Sequence, residues 1–231
     1  MIAFLTSAPE LPDREALNPA NGFIDQLRAT LPNPCRALYV ASSPDNPDKN
    51  DFYAAFLRRC FEGSGFRFSA HTILDRRNAA DAAALLRDAE MVVLAGGHVP
   101  TQNSFFAEIG LKTLLKDFSG VLVGISAGTM NSAEEVYVHP ELDGEATDPS
   151  FARFRPGLGL TKKQTIPHYH SIKNDVLDGM RVMEDIAYPD STGRQFYLLT
   201  DGSYIRIADG KESVLGEVYL LEDGRLSAFK A

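Results

Sequence analysis

Short β-branched runs alternate with longer stretches of helical period through most of this chain, and that alternation builds a parallel sheet covered by helices on both faces. Residues 91–95, Met-Val-Val-Leu-Ala, and 121–125, Val-Leu-Val-Gly-Ile, are nearly continuous apolar runs, as expected of strands buried on both sides. Residues 1–5, 37–41 and 66–74 read as further strands. Apolar residues recur at helical spacing over 52–61, 78–89 and 104–118, with Gly63 and Gly65 stopping the first of these segments. Later strands are expected at 158–167, 195–200, 204–207 and 214–221, the last turning back antiparallel through Glu222-Asp223-Gly224. No linker or repeat interrupts the pattern. The expectation is one α/β domain over 1–231, three-layered, with a mostly parallel sheet.

Charge narrows the partners. With 23 Lys and Arg against 31 Asp and Glu, a net charge of −8 and no basic cluster, the chain has no electrostatic footprint for nucleic acid or an anionic membrane. Cys35 and Cys60 stand alone at a spacing that suits neither a four-thiolate metal knot nor a redox dithiol; two reduced core thiols are expected. The N-terminal apolar run lacks a basic region and turns polar within a few residues, unlike a secretion signal, and no apolar run approaches the roughly 20 residues of a membrane span. A cytoplasmic protein is expected, with no metal and no cofactor. Oligomeric state stays open, a homo-oligomer included.

The chemistry concentrates at strand ends. Gly124-Ile125-Ser126-Ala127-Gly128 closes a buried strand and precedes a helix start, the context of a nucleophile elbow, in which a sharp turn pushes the serine outward and small neighbours let the backbone pass. The bland alternative is a glycine-rich turn with a capping serine. A helix beginning after Ser126 would turn its free amides and positive dipole end toward an oxyanion, Ala127 supplying one donor. Gly96-Gly97, at the end of a neighbouring strand, offers a second through Gly97.

A serine nucleophile needs a base and a group to orient it. Of the five histidines, His168 and His170 flank Tyr169 at the end of a late strand, and strand ends are where α/β sites assemble. Strand periodicity puts both on one face; His168, directly after Pro167, is preferred and His170 is the reserve. Asp201 follows the run Phe196 to Thr200 and precedes Gly202, so it is either the orienting carboxylate or the first residue of an Asp-Gly hairpin. The polar stretch 139–157 is too long for a simple connector and could lie over a site.

Gly96-Gly97 with a helix after them, the Gly124 to Gly128 elbow, Pro167-His168-Tyr169 and Leu199-Thr200-Asp201-Gly202-Ser203 together resemble the peptidase E family of serine peptidases, and the likeness covers most of the chain. The resemblance implies a class I glutamine amidotransferase-like fold, Ser126 as nucleophile, His168 as general base and Asp201 as third member. The order serine, histidine, acid differs from that of α/β-hydrolases, and no cysteine stands at the elbow as it does in the amidotransferases. Two departures are visible. Well-known members carry glutamate where this chain has the shorter Asp201, and they follow the diglycine with asparagine and threonine where this chain has His98-Val99-Pro100-Thr101-Gln102-Asn103.

The implied activity is hydrolysis of short peptides, with removal of an N-terminal aspartate as the family's associated preference. Holding that carboxylate requires a cation or several donors. His98, Arg153 and Arg155 are the substrate-binding candidates, with Lys162 and Lys163 behind them. Two rivals remain: a cyanophycinase-like hydrolase of another acidic polyamide, and a non-catalytic small-molecule or peptide-binding module on the same scaffold.

Overall fold

The computed structural model describes residues 1–230. Strands β1 (Ile2–Thr6), β2 (Cys35–Val40), β3 (Phe68–Leu74), β4 (Met91–Leu94) and β5 (Val121–Ile125) run parallel in the order β1-β5-β4-β2-β3. In register, Ala3 lies beside Leu122, Leu122 beside Val92 and Val92 beside Leu38. Every residue of β4 and β5 is buried, and the period-two alternation of side chains explains how. Phe4, Tyr39, Val93 and Val123 pack on one face against helices α1 (Phe23–Arg28) and α2 (Pro47–Gly63). Leu5, Leu38, Val92 and Leu122 pack on the other against α3 (Ala82–Asp88) and α4 (Val99–Glu108). This is the three-layer architecture expected from the sequence. Cys35 and Cys60 are free and buried in the first of these cores.

The later half departs further from the expected boundaries. After the short helices α5 (Leu111–Leu114) and α6 (Ala127–Met130), β6 (Glu135–Tyr137) pairs antiparallel with β7 (Phe154–Pro156). The strand expected over 158–167 is only β8 (Gln164–Ile166); Leu158 and Leu160 instead donate their amides to Asn131 and Ser132 in the turn after α6. Helix α7 (Tyr169–Ile172) and the hairpin β9 (Val176–Leu177) and β10 (Met180–Arg181) follow. Next come β11 (Gln195–Leu199), β12 (Tyr204–Ala208), β13 (Lys211–Leu215), β14 (Val218–Glu222) and β15 (Arg225–Ala228).

The single strand expected over 214–221 is two strands in two sheets. β12 and β13 extend the main sheet antiparallel beside β1, while β8, β11, β14 and β15 form a second sheet. Gly216 makes the switch at φ 96°, where a Cβ would stand 2.8 Å from the Ser203 Cβ, so only glycine lets the chain cross there. The hairpin through Asp223-Gly224 forms as expected. Among the helices, the expected 104–118 segment starts earlier, at Val99, and breaks at Gly110, where φ is 65°. The expected 78–89 segment is regular only from Ala82, since Asn78 leaves helical geometry to bond the Asp75 amide.

Candidate active site

The carboxyl ends of β1, β4 and β5 meet at one edge of the main sheet, where ligands of α/β folds gather. Ser126, directly after β5, has φ 48° and ψ −109°, a conformation that costs a non-glycine residue about 1–3 kcal/mol and persists only where the surroundings over-determine it. They do so here. The Ser126 amide donates to the carbonyls of Thr6 and Ser7 at 3.1 Å each, and Thr129 Oγ1 donates to Thr6 O at 2.7 Å. A Cβ on Gly128 would lie 2.3 Å from the Leu94 carbonyl oxygen, so glycine lets the turn after Ser126 press directly on β4. Buried Gln102 and Asn131 lock α4 to the same place: Gln102 Nε2 donates to Ala95 O at 2.7 Å and Asn131 Nδ2 to Gln102 Oε1 at 3.0 Å.

The diglycine lies against the elbow, where a Cβ on Gly96 would be 3.5 Å from the Ser126 Cβ. Gly97 has φ 146°, and a Cβ there would sit 2.3 Å from Ser42 Oγ, which itself donates to Gly96 O at 2.6 Å. Neither the Gly97 nor the Ala127 amide donates to an acceptor among the described residues. The helix expected to follow Ser126 is a single turn of four residues. Its dipole is correspondingly small, and any stabilisation of an oxyanion rests on individual amides rather than on a macrodipole.

His168 enters from the other side. It stands at φ 57° between β8 and α7 rather than in a continuing strand, so the face-sharing expected of His168 and His170 does not arise. His168 Nδ1 is 2.8 Å from Asp201 Oδ1. His170 points instead to Glu217, with Nε2 3.2 Å from Oε2. Asp201 is not a hairpin residue: Asp178-Gly179, Asp209-Gly210 and Asp223-Gly224 are two-residue turns with positive φ at both positions, whereas Asp201 keeps negative φ and connects strands in different sheets.

Ser7, which the sequence reading passed over, joins these groups. Fully buried at the end of β1, its hydroxyl accepts the His168 amide at 2.8 Å and donates to Asp201 Oδ1 at 2.7 Å. One carboxylate oxygen therefore holds both the imidazole and the serine that fixes the imidazole's backbone. The bond from His168, and after it the one from Ser7, holds the Asp201 carboxyl below the ordinary carboxylate range against the opposing effect of its partial burial. The shorter side chain of Asp201 thus reaches the histidine, which itself stands at positive φ.

Ser126 and His168 both line two cavities. The first, of about 330 Å³, is completed by Met130, His139, Pro140, Glu141, Ile172 and Asp175 among others. The second, of about 290 Å³, includes Glu10, Tyr39, Lys49, Tyr53 and Gly97. The Ser126 hydroxyl has no hydrogen-bond partner among the described residues, and His168 Nε2 is likewise unengaged; nucleophile and base contacts commonly tighten only with substrate bound.

The three substrate-binding candidates line neither cavity. His98 caps the start of α4, with Nδ1 2.8 Å from Thr101 Oγ1 and Nε2 2.9 Å from Glu145 Oε1. Arg153 lies behind His139, 3.8 Å from Asp190 and over the Phe151 ring. Arg155 belongs to the edge of β7. Of the reserve cations, Lys163 pairs with Glu212 and Lys162 is exposed. Val99 to Asn103, where the sequence departs from its resemblance, forms the first turns of α4 and braces the elbow. No group of three His, Cys, Asp or Glu able to hold a metal occurs among the described residues, nor any helix long and apolar enough to cross a membrane.

Ser126, at a strained strand end, and the His168–Asp201 pair thus border the same cavities of a three-layer α/β scaffold. The family description "Peptidase family S51" matches residues 3–215, and the chain belongs to that family, the peptidase E family of serine-type peptidases. No curated protein matches the sequence. Among solved structures, it resembles a peptidase from an acI-B1 Actinobacterium, with TM-score 0.67 and 18% identity over 100% of this chain and 94% of that one. It also resembles a candidate peptidase E protein from Listeria monocytogenes EGD-e, with TM-score 0.65 and 16% identity over 92% of this chain and 96% of that one. These likenesses carry the fold, which is that of peptidase E proteins and class I glutamine amidotransferase-like.

Proposed function

We propose that this peptidase hydrolyses short peptides through a Ser126-His168-Asp201 triad and an acyl-enzyme intermediate. The observation that carries the proposal is the 2.8 Å contact of His168 Nδ1 with Asp201 at the edge of two cavities that Ser126 also lines. With Nδ1–H donated to the carboxylate, Nε2 keeps its lone pair and takes the Ser126 proton as Oγ attacks the peptide carbonyl. The amides of Gly97 and Ala127 receive the negative oxygen. Collapse expels the amine with the proton from His168, and a water activated by the same imidazole then releases the acid. Two cavities of small-molecule size favour short substrates over folded proteins.

Ser126→Ala should lower kcat on a dipeptide library by about 10⁴-fold or more while leaving the thermal transition in place. Undiminished turnover by the purified, folded variant would refute the triad. A preference for N-terminal aspartate would need a cation beside the substrate. Lys49 is the one lysine or arginine lining either cavity, and it lines the one that Glu141 does not.

A further inference from the structure

The second cavity brings the diglycine beside Ser126, and what holds the diglycine lies outside that cavity. Gly97 and Ser126 line it together, whereas Ser42 lines neither cavity. Ser42 is buried two residues beyond β2, and the backbone around it is pinned: the Ala41 amide donates to Leu74 O and the Ala95 amide to Val40 O, each at 3.0 Å. Its side chain therefore stands level with the end of β4. Ser42 Oγ donates to Gly96 O at 2.6 Å, and among the described residues this is the one hydrogen bond made by the Gly96–Gly97 peptide unit, since the Gly97 amide has no acceptor. Contact reinforces the bond. A Cβ on Gly97 would stand 2.3 Å from Ser42 Oγ and 2.8 Å from Ser42 Cβ, so the glycine backbone lies directly on the serine side chain.

The Gly96–Gly97 peptide is trans, and in a planar trans unit the carbonyl and the N–H point in opposite directions. A hydroxyl that fixes where Gly96 O points therefore fixes where the Gly97 N–H points. With Ser42 behind the diglycine, that direction is away from Ser42 and into the cavity that Gly97 shares with Ser126. The constraint matters because two successive glycines offer little resistance to rotation of the plane between them. Half a turn would put a carbonyl oxygen where the amide now stands, and it would repel the negative oxygen that the amide should receive.

We infer that Ser42 is a positioning residue for the oxyanion site: by holding Gly96 O it keeps the Gly97 amide aimed at the carbonyl oxygen of the substrate. The inference rests on the serine-peptidase reading, in which that amide is a donor. As Ser126 Oγ bonds to the carbonyl carbon, the π pair moves onto the carbonyl oxygen and the serine proton goes to His168. The Gly97 amide meets that charge only as it develops, so Ser42 acts on the transition state and leaves ground-state binding alone. Its hydroxyl bonds to Gly96 and to no member of the triad.

Ser42→Ala should lower kcat on alanyl-alanine or aspartyl-alanine about tenfold or more, with KM and the pH of half-maximal activity little changed. Lost packing also slows turnover, so the deciding readout is inhibition by the amino aldehydes of alanine and aspartate against the matching amino alcohols. The aldehyde adds reversibly to Ser126 and forms an oxyanion; the alcohol cannot. In the wild-type enzyme the aldehyde of at least one pair should bind more tightly than its alcohol, and Ser42→Ala should erode that ratio about tenfold while leaving the alcohol's Ki unchanged. A ratio that survives Ser42→Ala, equal weakening of aldehyde and alcohol, or a shifted pH profile overturns the inference alone. Should Ser42→Ala lose its thermal transition, Ser42→Cys, which offers a weaker donor, is scored by the same ratio. No aldehyde preference in the wild-type enzyme, or failure of a serine-directed phosphonate to label Ser126, refutes the nucleophile and oxyanion reading and the inference with it.

Discussion

The wall that carries Ser126 and the wall that carries Glu141 line one cavity and are built by different means. The Ser126 wall is main chain pressed on main chain: β5 ends against β1, the turn after it rests on the Leu94 carbonyl, and glycines make the approach possible. The Glu141 wall is irregular backbone with its amides captured by carboxylates of Glu145 and Asp178. Close packing holds the strained Ser126 closely in place, since any shift meets hard contacts. Side-chain carboxylates satisfy the amides of a loop that no strand or helix pairs.

That contrast can be broken at either wall. Gly128→Ala places a methyl 2.3 Å from Leu94 O and should cost about 3 kcal/mol or more, a fall of about 6–12 °C in the thermal midpoint. An unchanged midpoint would mean the elbow is not held by contact with β4.

On the Glu141 wall the expected effect is one of pH. Burial, and after it His168 and Arg153, keeps His139 neutral in the folded protein down to about pH 4, whereas in the unfolded chain it takes up a proton below its ordinary value near 6.5. The unfolded state therefore binds more protons between those limits, so this contribution to stability is complete above pH 6.5 and is lost as the pH falls through about 4. It amounts to about 3 kcal/mol. Burial pushes His71, in β3, down to about 4 as well, with the same sign, so denaturant titrations of His139→Gln should retain part of the acid loss. A variant as acid-sensitive as the parent would refute the assignment to His139.

The smallest effect lies behind His168. Ser7→Ala removes the hydroxyl shared by the His168 amide and Asp201, a charge-assisted bond of about 1.5–3 kcal/mol. kcat should fall by about tenfold or more with KM little changed, and Ser7→Thr should restore part of it. A fall confined to KM would show that Ser7 serves substrate binding rather than the imidazole.

Buried strands and the elbow were legible in the sequence because they depend on local pattern: β4 and β5 show as apolar runs, and Gly124 to Gly128 as a turn between strand and helix. The diglycine was legible for the same reason. Helix limits were less so, because Gly110 and Asn78 break their helices through conformations that periodicity does not record. Ser7 was invisible: a serine after a strand is common, and its importance comes from residues 161 and 194 positions away. Glu141 and His139 were placed only in a polar stretch, and the cations named as substrate-binding candidates line neither cavity beside Ser126.

By itself the sequence determined the layers of the fold and the residue at the point of the elbow, since alternation of apolar residues and the steric needs of a tight turn act over a few neighbouring positions. Tertiary structure decided which histidine meets Asp201, which serine braces them, and which charges line the cavities. Each of those depends on side chains far apart in the chain, brought together by the order of strands in the sheet and by backbone turns at His168 and Gly216 that no local periodicity encodes.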